Sequence, residues 1–303
     1  MTIAVFGSIN VDVTAYSQRL PAPGETVHGD SYVLGLGGKG ANQAVAVARL
    51  GGELAFIGRI GRDVFGDLAR AQLEQNGVST AAVAGDGTSG TGIAVIAVDA
   101  TAQNCITVIA GANFNVGDAE VGRLAALSAP HVLLLQLEVP MPANIAAAKL
   151  AKQRGAIVIL DPAPAPAGPL PPDLVATVGV ITPNEIECEA LTGIRPGNVK
   201  DARRAAEALS SQGIARVVVK MGANGAFWWG PEGDGHVPRF TVLAIDTVAA
   251  GDCFNGGLAF ALAAGKPFGE AVHFASACGA LSTTRRGAAA AAPELAEVER
   301  LLG

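Results

Sequence analysis

Short β-rich segments alternate with alanine-rich helical segments along most of the chain, and this alternation constrains the fold more than any other feature. HVLLLQLE (131–138) and AIVILDP (156–162), for example, flank the helical segment ANIAAAKLAKQRG (143–155). The apolar residues of these strands do not alternate with polar ones, which is typical of strands buried on both faces of a parallel sheet. The pattern predicts an α/β fold with right-handed crossovers and helices on both faces of the sheet.

Two segments, at about 11–36 and 91–110, break this alternation because they contain no helical run. The second, TGIAVIAVDATAQNCITVIAG, predicts two strands of about six residues around the polar turn DATAQ. We therefore expect a small β-sheet that stands off the main body of a single domain spanning residues 1–303. Such a sheet can serve as a lid that excludes water from a transferable phosphoryl group, or as a dimer contact, and the two uses are compatible.

Composition narrows the class of protein. Half of the 303 residues are hydrophobic, 16% are charged and the net charge is −6, which indicates a compact globular protein. Lys and Arg are not concentrated in any stretch, so no nucleic-acid partner is expected. No apolar run reaches the roughly 18 residues of a membrane span, and MTIAVFGSINVDV lacks the basic segment and cleavage site of a signal peptide. We expect a cytoplasmic protein without a membrane partner.

The cysteines and histidines do not form a recognisable metal or disulfide pattern. The four cysteines include no C-x-x-C pair, and the four histidines include no H-E-x-x-H or comparable cluster. We expect the cysteines to be buried thiols: Cys105, Cys188, Cys253 and Cys278.

The glycine-rich segment GLGGKGANQAVAVARLGG (35–52) opens a predicted helix. Its glycines formally satisfy the dinucleotide pattern G-x-G-x-x-G, but it follows the first lid segment instead of the first strand, and its lysine is followed by glycine where a Walker loop has Ser or Thr. Gly37 and Gly38 allow a ligand to approach the backbone closely, while Lys39 and Asn42 place a cation and an amide at the helix start. These groups suit a polyhydroxylated ligand.

Asn10 and Asp12, in GSINVD, follow the first predicted strand, where ligands of open α/β sheets bind. A carboxylate can accept hydrogen bonds from two neighbouring sugar hydroxyls at once, and an amide can both donate and accept. Taken alone, each residue is equally compatible with a local Asx-turn. Together with Lys39 and Asn42 they favour a sugar site.

Asp252 precedes an apolar helix in DTVAAGDCFNGGLAFAL (246–262), and two interpretations compete for it. It can act as the N-cap of this helix, because aspartate accepts the free N–H groups of a first turn. Alternatively, the unobstructed amides of Ala249, Ala250 and Gly251 bind phosphate at the helix N-terminus, and the carboxylate beside them is a base.

Several longer motifs occur in the order and approximate spacing of one enzyme family: GSINVD, PGETV, GGKGANQAVA, QLE (136–138), PAPA, ITPNEIE and DTVAAGDCFNGGLA. On these motifs the chain resembles the ribokinase family of carbohydrate kinases over nearly its whole length. The resemblance implies a three-layer α/β/α sandwich with a small β-sheet lid that also forms a homodimer contact. It also implies transfer of the γ-phosphoryl group of ATP to the 5-hydroxyl of ribose.

The resemblance implies a role for each matching residue. Asp252 would be the base, and the amides of Ala249, Ala250 and Gly251 the anion hole. The residues that would hold the sugar, together with Asp252, are Asn10, Asp12, Gly38, Lys39, Asn42 and Glu138. Those that would border the nucleotide are Asn184, Lys220, Gly222, Asn224, Gly225, Gly251 and Ser276, with Asn224–Gly225 forming a tight turn.

Two metals are implied as well. Glu187 would bind Mg²⁺ through water. A K⁺ ion that activates the enzyme would be held by backbone carbonyl oxygens of Asp246, Val248, Ser282, Arg285 and Gly287. The chain departs from the family pattern at Ser276, where a histidine can stand near the adenine, and at Ala291, which replaces a serine near the cation loop.

Two alternatives to a ribose kinase remain from the sequence. The first is a kinase of the same fold for another sugar or for a nucleoside. The second is a non-catalytic sugar-binding or regulatory protein. The intact AAGD turn (249–252) argues against the second, and the sugar-binding set favours a small free sugar over a nucleoside.

Overall fold

The computed structural model describes residues 2–303, which form thirteen β-strands and ten α-helices. The strands are β1 (Thr2–Phe6), β2 (Asn10–Ser17), β3 (Gly29–Gly37), β4 (Glu53–Gly61), β5 (Val83–Asp86), β6 (Gly92–Val98), β7 (Asn104–Ile109), β8 (Val132–Gln136), β9 (Ile157–Asp161), β10 (Val180–Ile181), β11 (Arg216–Lys220), β12 (Ala226–Gly230) and β13 (Gly233–Val237). The helices are α1 (Lys39–Arg49), α2 (Val64–Gln75), α3 (Asp118–Ala126), α4 (Met141–Gln153), α5 (Pro172–Val175), α6 (Glu185–Thr192), α7 (Val199–Ser211), α8 (Ala250–Ala263), α9 (Phe268–Ser282) and α10 (Leu295–Leu302).

The larger sheet has nine strands in the order β13-β12-β11-β10-β9-β8-β1-β4-β5. All neighbours from β11 to β5 pair in parallel, whereas β12 and β13 pair antiparallel at one edge. The prediction of a parallel sheet is therefore confirmed, except for this edge hairpin. Because parallel strands point the same way, their carboxyl ends share one edge of the sheet, and a ligand site can form there.

Helices cover both faces of the larger sheet, which confirms the predicted three-layer sandwich. Neighbouring residues of one strand belong to different cores: Val5 and Leu134 pack on the side of α1, α8 and α9, whereas Phe6 and Leu135 pack on the side of α4 and α7. Both faces of each strand are thus buried, which explains why the strands lack polar alternation. Within residues 2–303, every helix is too short or too polar to span a membrane.

The second, smaller sheet has four strands in the order β3-β2-β6-β7. β2 and β3 lie between β1 and α1 in the chain, and β6 and β7 follow β5. The predicted strand pair around DATAQ is confirmed, since β6 ends at Val98 and β7 begins at Asn104. Several apolar side chains of this sheet are exposed, among them Tyr32, Val33, Ile106 and Val108.

The prediction that all four cysteines are buried is wrong for Cys105. Cys188, Cys253 and Cys278 are buried, but Cys105 is exposed in β7. β7 is an edge strand of the smaller sheet, and every one of its residues is exposed. An apolar strand sequence indicates burial only where something covers the strand.

Candidate active site

The carboxyl edge of the larger sheet brings distant parts of the chain together. Glu138, Asp161 and Lys220 lie at or just beyond the ends of β8, β9 and β11. The first turn of α1 reaches them through hydrogen bonds to Glu138 and Asp161, and it also contacts Asp252 in the first turn of α8. The site therefore lies between two helix N-termini and the strand ends, as the sequence predicts for an open α/β sheet.

Glu138 holds the start of α1. Its Oε2 accepts hydrogen bonds from the Lys39 backbone N–H, at 2.9 Å, and from the Ser8 hydroxyl. The N-cap residue of α1 is Gly38, which has no side chain to cap its helix, so the carboxylate of Glu138, two residues beyond the end of β8, satisfies this first-turn N–H group instead. Gly38 has a φ of 87°, and a Cβ there would lie 2.8 Å from the Asn10 backbone nitrogen, so no other residue fits.

Asp252 is buried and is not the N-cap of α8. The N-cap is Ala249, in the left-handed conformation with a φ of 58°, so the helix begins at Ala250 and Asp252 is its third residue. The carboxylate accepts hydrogen bonds from side chains of α1, from Asn42 Nδ2 at 3.0 Å and from Gln43 Nε2 at 3.2 Å. The N-cap interpretation is therefore wrong, because the strained turn at Ala249 starts the helix earlier.

Burial raises the pKa of Asp252, and the nearby charge of Lys39 opposes this shift. Conversely, Asp252 is the largest cause of a raised pKa of Lys39, which is partly buried and stays protonated. The carboxylate of Asp161 also raises the pKa of Asp252. Asp252 and Lys39 thus place a carboxylate and a cation near each other at a position that is largely shielded from water.

Asp161 and Gln43 belong to this site but were not singled out from the sequence. Asp161 Oδ1 accepts from Lys220 Nζ at 2.9 Å, and its Oδ2 accepts from Gln43 Nε2 at 3.1 Å. Lys220 Nζ lies 3.5 Å from the position that a Cβ on Gly251 would take, so the ammonium group lies beside the predicted anion hole. Asp161 could have been predicted from the sequence, because it is a carboxylate at the carboxyl end of a predicted strand, β9.

Two of the residues predicted to hold a sugar, Asn10 and Asp12, lie on β2, at the junction of the two sheets. Asn10 is held by Asn113, whose Nδ2 donates to Asn10 Oδ1 at 2.8 Å and to the Ile9 carbonyl at 3.0 Å. Asp12 lies against Gly37, where a Cβ would be 2.1 Å from Asp12 Oδ1. Burial, followed by the charge of Glu138, raises the pKa of Asp12 to about 6.

Asn184 and Glu187 form a capping box at the start of α6. Asn184 Oδ1 accepts from the backbone N–H of Glu187 at 2.9 Å, and both Glu187 oxygens accept from Asn184, at 2.8 and 2.9 Å. Burial raises the pKa of Glu187, and Lys220 opposes this shift. Among residues 2–303, no cluster of three or more His, Cys, Asp or Glu side chains is arranged to hold a metal ion. A single carboxylate already engaged in a cap suits Mg²⁺ that keeps its waters and binds mainly to phosphates.

The predicted tight turn at Asn224–Gly225 is a longer connection. Residues 221–225 join β11 to β12, and Gly222–Asn224 form a 3₁₀ turn in which Asn224 N–H donates to the Met221 carbonyl at 2.8 Å. In addition, Met221 N–H donates to the Gly225 carbonyl at 2.8 Å, so the connection spans all five residues. Ser276, also predicted at the nucleotide, donates its hydroxyl to the Val272 carbonyl within α9.

The residues predicted around K⁺ lie in two loops beside Ala249, except Ser282, which is the last residue of α9 and directly precedes the second loop. Asp246 Oδ1 accepts from Val248 N–H at 3.0 Å, and Asp246 Oδ2 accepts from Gly287 N–H at 3.1 Å. The backbone N–H of Asp246 donates to the Thr283 carbonyl, which lies between Ser282 and Arg285. Ala291 is buried in a 3₁₀ turn after these loops. The structure thus joins the two chain segments from which the five carbonyl groups come.

Comparisons with known proteins identify the family of this chain. The model of the pfkB family of carbohydrate kinases matches residues 2–295. The chain is 39% identical to a ribokinase of Haemophilus influenzae over 302 residues, covering 99% of this chain and 98% of that protein. It is also 35% identical to a deoxyribokinase of Salmonella typhi, covering 100% and 99% of the two chains.

A solved structure supports the same conclusion. The Arabidopsis thaliana ribokinase complexed with ribose and ATP has a TM-score of 0.92 and 31% sequence identity, and the alignment covers 99% of this chain and 98% of that one. The chain therefore belongs to the pfkB family of carbohydrate kinases.

Proposed function

We propose that this chain is an ATP-dependent sugar kinase that phosphorylates D-ribose on its 5-hydroxyl group. The observation that carries the proposal is the position of Asp252, buried at the N-terminus of α8 and hydrogen-bonded to Asn42 on the sugar side. The Haemophilus influenzae and Arabidopsis thaliana relatives, named as ribokinases, support ribose as the acceptor.

In this proposal the chain positions the hydroxyl group and takes its proton. Asp252 accepts the proton from the 5-hydroxyl as that oxygen attacks the γ-phosphorus and the bond to the β-phosphate bridging oxygen breaks. The start of α8, where Ala249, Ala250 and Gly251 would supply the anion hole, and the ammonium of Lys220 would stabilise the negative charge of the transferred group. Without the phosphate, the Ala250 N–H donates to the Thr247 carbonyl at 3.3 Å, a long hydrogen bond that phosphate binding would replace. Mg²⁺, held near Glu187 through water, would neutralise part of the charge on the phosphates.

The sugar would be held between the two sheets. Asp12 and Oε1 of Glu138 offer acceptors for ribose hydroxyls, and Asn42 Oδ1 is a buried acceptor without a partner among the described residues. Asn10 offers its Nδ2 as a donor, because its Oδ1 accepts from Asn113. Buried acceptors of this kind reject ligands that leave them unpaired. This polarity favours a free sugar rich in hydroxyl groups.

The decisive experiment is a substrate panel with ATP: D-ribose, 2-deoxy-D-ribose, D-fructose and a nucleoside. We expect D-ribose to have the highest kcat/KM, because it can pair the largest number of buried acceptors. 2-Deoxyribose belongs in the panel because one relative is named as a deoxyribokinase. If kcat/KM for any of the other three compounds were at least tenfold higher than for D-ribose, ribose would be rejected as the substrate.

The affinity for ribose is expected to depend on pH through Asp12. Its pKa of about 6 means that the carboxyl group is neutral below pH 6 and charged above it, and only the charged form accepts two hydroxyl groups. The Kd for ribose without ATP, measured by calorimetry, should fall as the pH rises from 5 to 7, with a midpoint near 6. Asp12→Asn should remove this dependence; a variant that keeps it would assign the titration to another group.

The stability of the ligand-free protein should change in the opposite direction. The pKa of Asp12 in the folded protein lies above the ordinary aspartate value of 3.8, so ionisation of this group opposes folding. Its favourable contribution is complete below pH 3.8 and is lost as the pH rises through 6. Asp12→Asn should therefore raise Tm more at pH 7 than at pH 5.

We also propose that K⁺ binds between the two loops beside Ala249 and orders the anion hole. Backbone carbonyl oxygens suit such hard cations. Activity in K⁺ should exceed activity in equimolar tetramethylammonium, and equal rates would contradict the site.

The smaller sheet is proposed to act both as a lid and as a homodimer contact. Its exposed apolar side chains, Tyr32, Val33, Ile106 and Val108, are the support for a contact. Sedimentation should give a dimer, and Ile106→Glu should give a monomer. A monomeric parent protein would contradict the contact.

A further inference from the structure

Gln43 connects two buried carboxylates that the proposed chemistry treats separately. Its Nε2 donates to Asp161 Oδ2 at 3.1 Å and to Asp252 Oδ1 at 3.2 Å. A primary amide nitrogen carries two hydrogens, so each hydrogen has its own carboxylate. Gln43 and Asp161 are almost completely buried, and Asp252 is 4% exposed, so water does not compete for these hydrogen bonds.

The orientation of the Gln43 amide is determined by Gln136. Gln136 Nε2 donates to Gln43 Oε1 at 2.7 Å, which leaves the Gln43 nitrogen for the carboxylates. The Gln136 side chain itself is confined by Gly7, where an added Cβ would lie 1.9 Å from Gln136 Oε1. Reversing the Gln43 amide would place its carbonyl oxygen against two carboxylates, which is unfavourable.

The surroundings of Asp252 contain five further charged groups on five segments of the chain. Lys39 on α1 and Asp161 on β9 act on Asp252 directly. Lys220 on β11 pairs with Asp161. Glu138 and Glu187 act on the same Lys39. Within this set, Gln43 is the neutral group that hydrogen-bonds both Asp161 and Asp252.

We propose that Gln43 is a positioning residue, which directs the Asp252 carboxylate toward the sugar hydroxyl by tying it to the Asp161–Lys220 ion pair. The inference rests on the proposed function, because it concerns the same base. Asn42 holds Asp252 Oδ2 and Gln43 holds Oδ1, so the two amides together prevent rotation of the carboxylate. The same bridge couples the base to the ammonium group beside Gly251.

Two substitutions test this role. Gln43→Met keeps the length of the side chain but removes the two hydrogen bonds to the carboxylates and the one accepted from Gln136. Gln43→Glu keeps the shape and an acceptor for Gln136 but replaces the donor with a third carboxyl group. For both we expect kcat to fall by about tenfold or more, with KM for ribose and for ATP within about threefold of the parent values. The acid limb of the pH–kcat profile should move to higher pH, because Asp252 loses a hydrogen bond that stabilises its charged form.

Asn144→Leu is the matched control. Asn144 is also a buried amide, but it donates to the Gln136 backbone carbonyl at 2.7 Å and makes no hydrogen bond to a carboxylate among residues 2–303. We expect a lower Tm with parent kcat and an unchanged pH profile. If Asn144→Leu moved the profile as far as Gln43→Met does, the effect would be general to buried amides and the inference would be wrong.

The remaining outcomes separate the two proposals. A parent protein that phosphorylates none of the sugars overturns the proposed function and this inference together. An active parent with a Gln43→Met kcat within threefold and an unmoved pH profile overturns the inference alone, as does a rise in KM for ribose at constant kcat. If Gln43→Met does not fold, kcat, KM and the pH–kcat profile of the nearly isosteric Gln43→Glu test the inference instead, with the same limits.

Discussion

Asp252→Asn is expected to lower kcat by roughly 10²–10⁴-fold while the protein stays folded and still binds ATP. The amide cannot accept the proton of the attacking hydroxyl group at neutral pH. Asparagine has one acceptor where the carboxylate has two, so either Asn42 or Gln43 loses its partner. This loss is offset because the substitution also removes a buried charge, and Tm should therefore change little.

The measurements are steady-state kinetics and thermal melts of the purified variant. Asp67→Asn is a suitable control, because Asp67 is an exposed aspartate in the first turn of α2, and it should keep the parent kcat. If Asp252→Asn kept kcat within threefold at a normal Tm, Asp252 would be a structural residue and the proposed mechanism would be wrong.

Gly40→Ala is expected to have the second largest effect, on stability as well as on activity. A Cβ at this position would lie 2.6 Å from the Ser8 nitrogen and 2.7 Å from the Gly7 carbonyl carbon and the Ser8 oxygen. All three are backbone atoms, so α1 must move away from the β1–β2 connection. Overpacking of this kind costs roughly 3 kcal/mol. The shift would also carry Asn42 away from Asp252, and kcat/KM should fall at least tenfold.

Gly122→Ala is the matched comparison for this substitution. Gly122 lies within α3, is exposed, and has open space where a Cβ would be added. Alanine should therefore stabilise the helix there by about 0.5–1 kcal/mol and leave the kinetics unchanged. The free energy of unfolding of both variants, measured with denaturant, checks this pair of predictions. If Gly40→Ala were as stable as Gly122→Ala, the contact between α1 and the β1–β2 connection would not be as tight as the structure indicates.

The class of fold could be predicted because each strand has to bury both faces. Val5 and Phe6 are neighbours and both apolar, because Val5 packs against α1 and α8 on one face of the sheet and Phe6 packs against the helices on the opposite face. The order of the strands could not be predicted in this way. Strand β1 lies between β8 and β4 because of contacts between segments far apart in sequence, and local patterns carry no information about them.

The site could be predicted where residues lie in glycine-rich turns or at strand ends with recognisable neighbours. Asn42 and Asp252 are of this kind, and the structure places them 3.0 Å apart between Nδ2 and Oδ2. Gln43 follows Asn42 at the point where α1 becomes apolar, and no local pattern distinguishes a polar side chain that binds two carboxylates from one exposed to water. Asn113 supports Asn10 from 103 positions away, and only the return of β7 to the body brings them together.

The smaller sheet joins the body along a single line. Asn10 pairs with both Gly37 and Gly92, and Ile109 pairs with Ile93 next to this row, so all four strands meet the body at the same end. A sheet attached in this way has a natural axis of rotation through the row. At about 3.3 Å per residue, Asp12 lies only about 7 Å from this axis and Tyr16 about 20 Å. If the sheet rotated about this axis, Asn10 would hardly move and Asp12 would move only a short distance. The far ends of the strands, near Tyr16, would move the most.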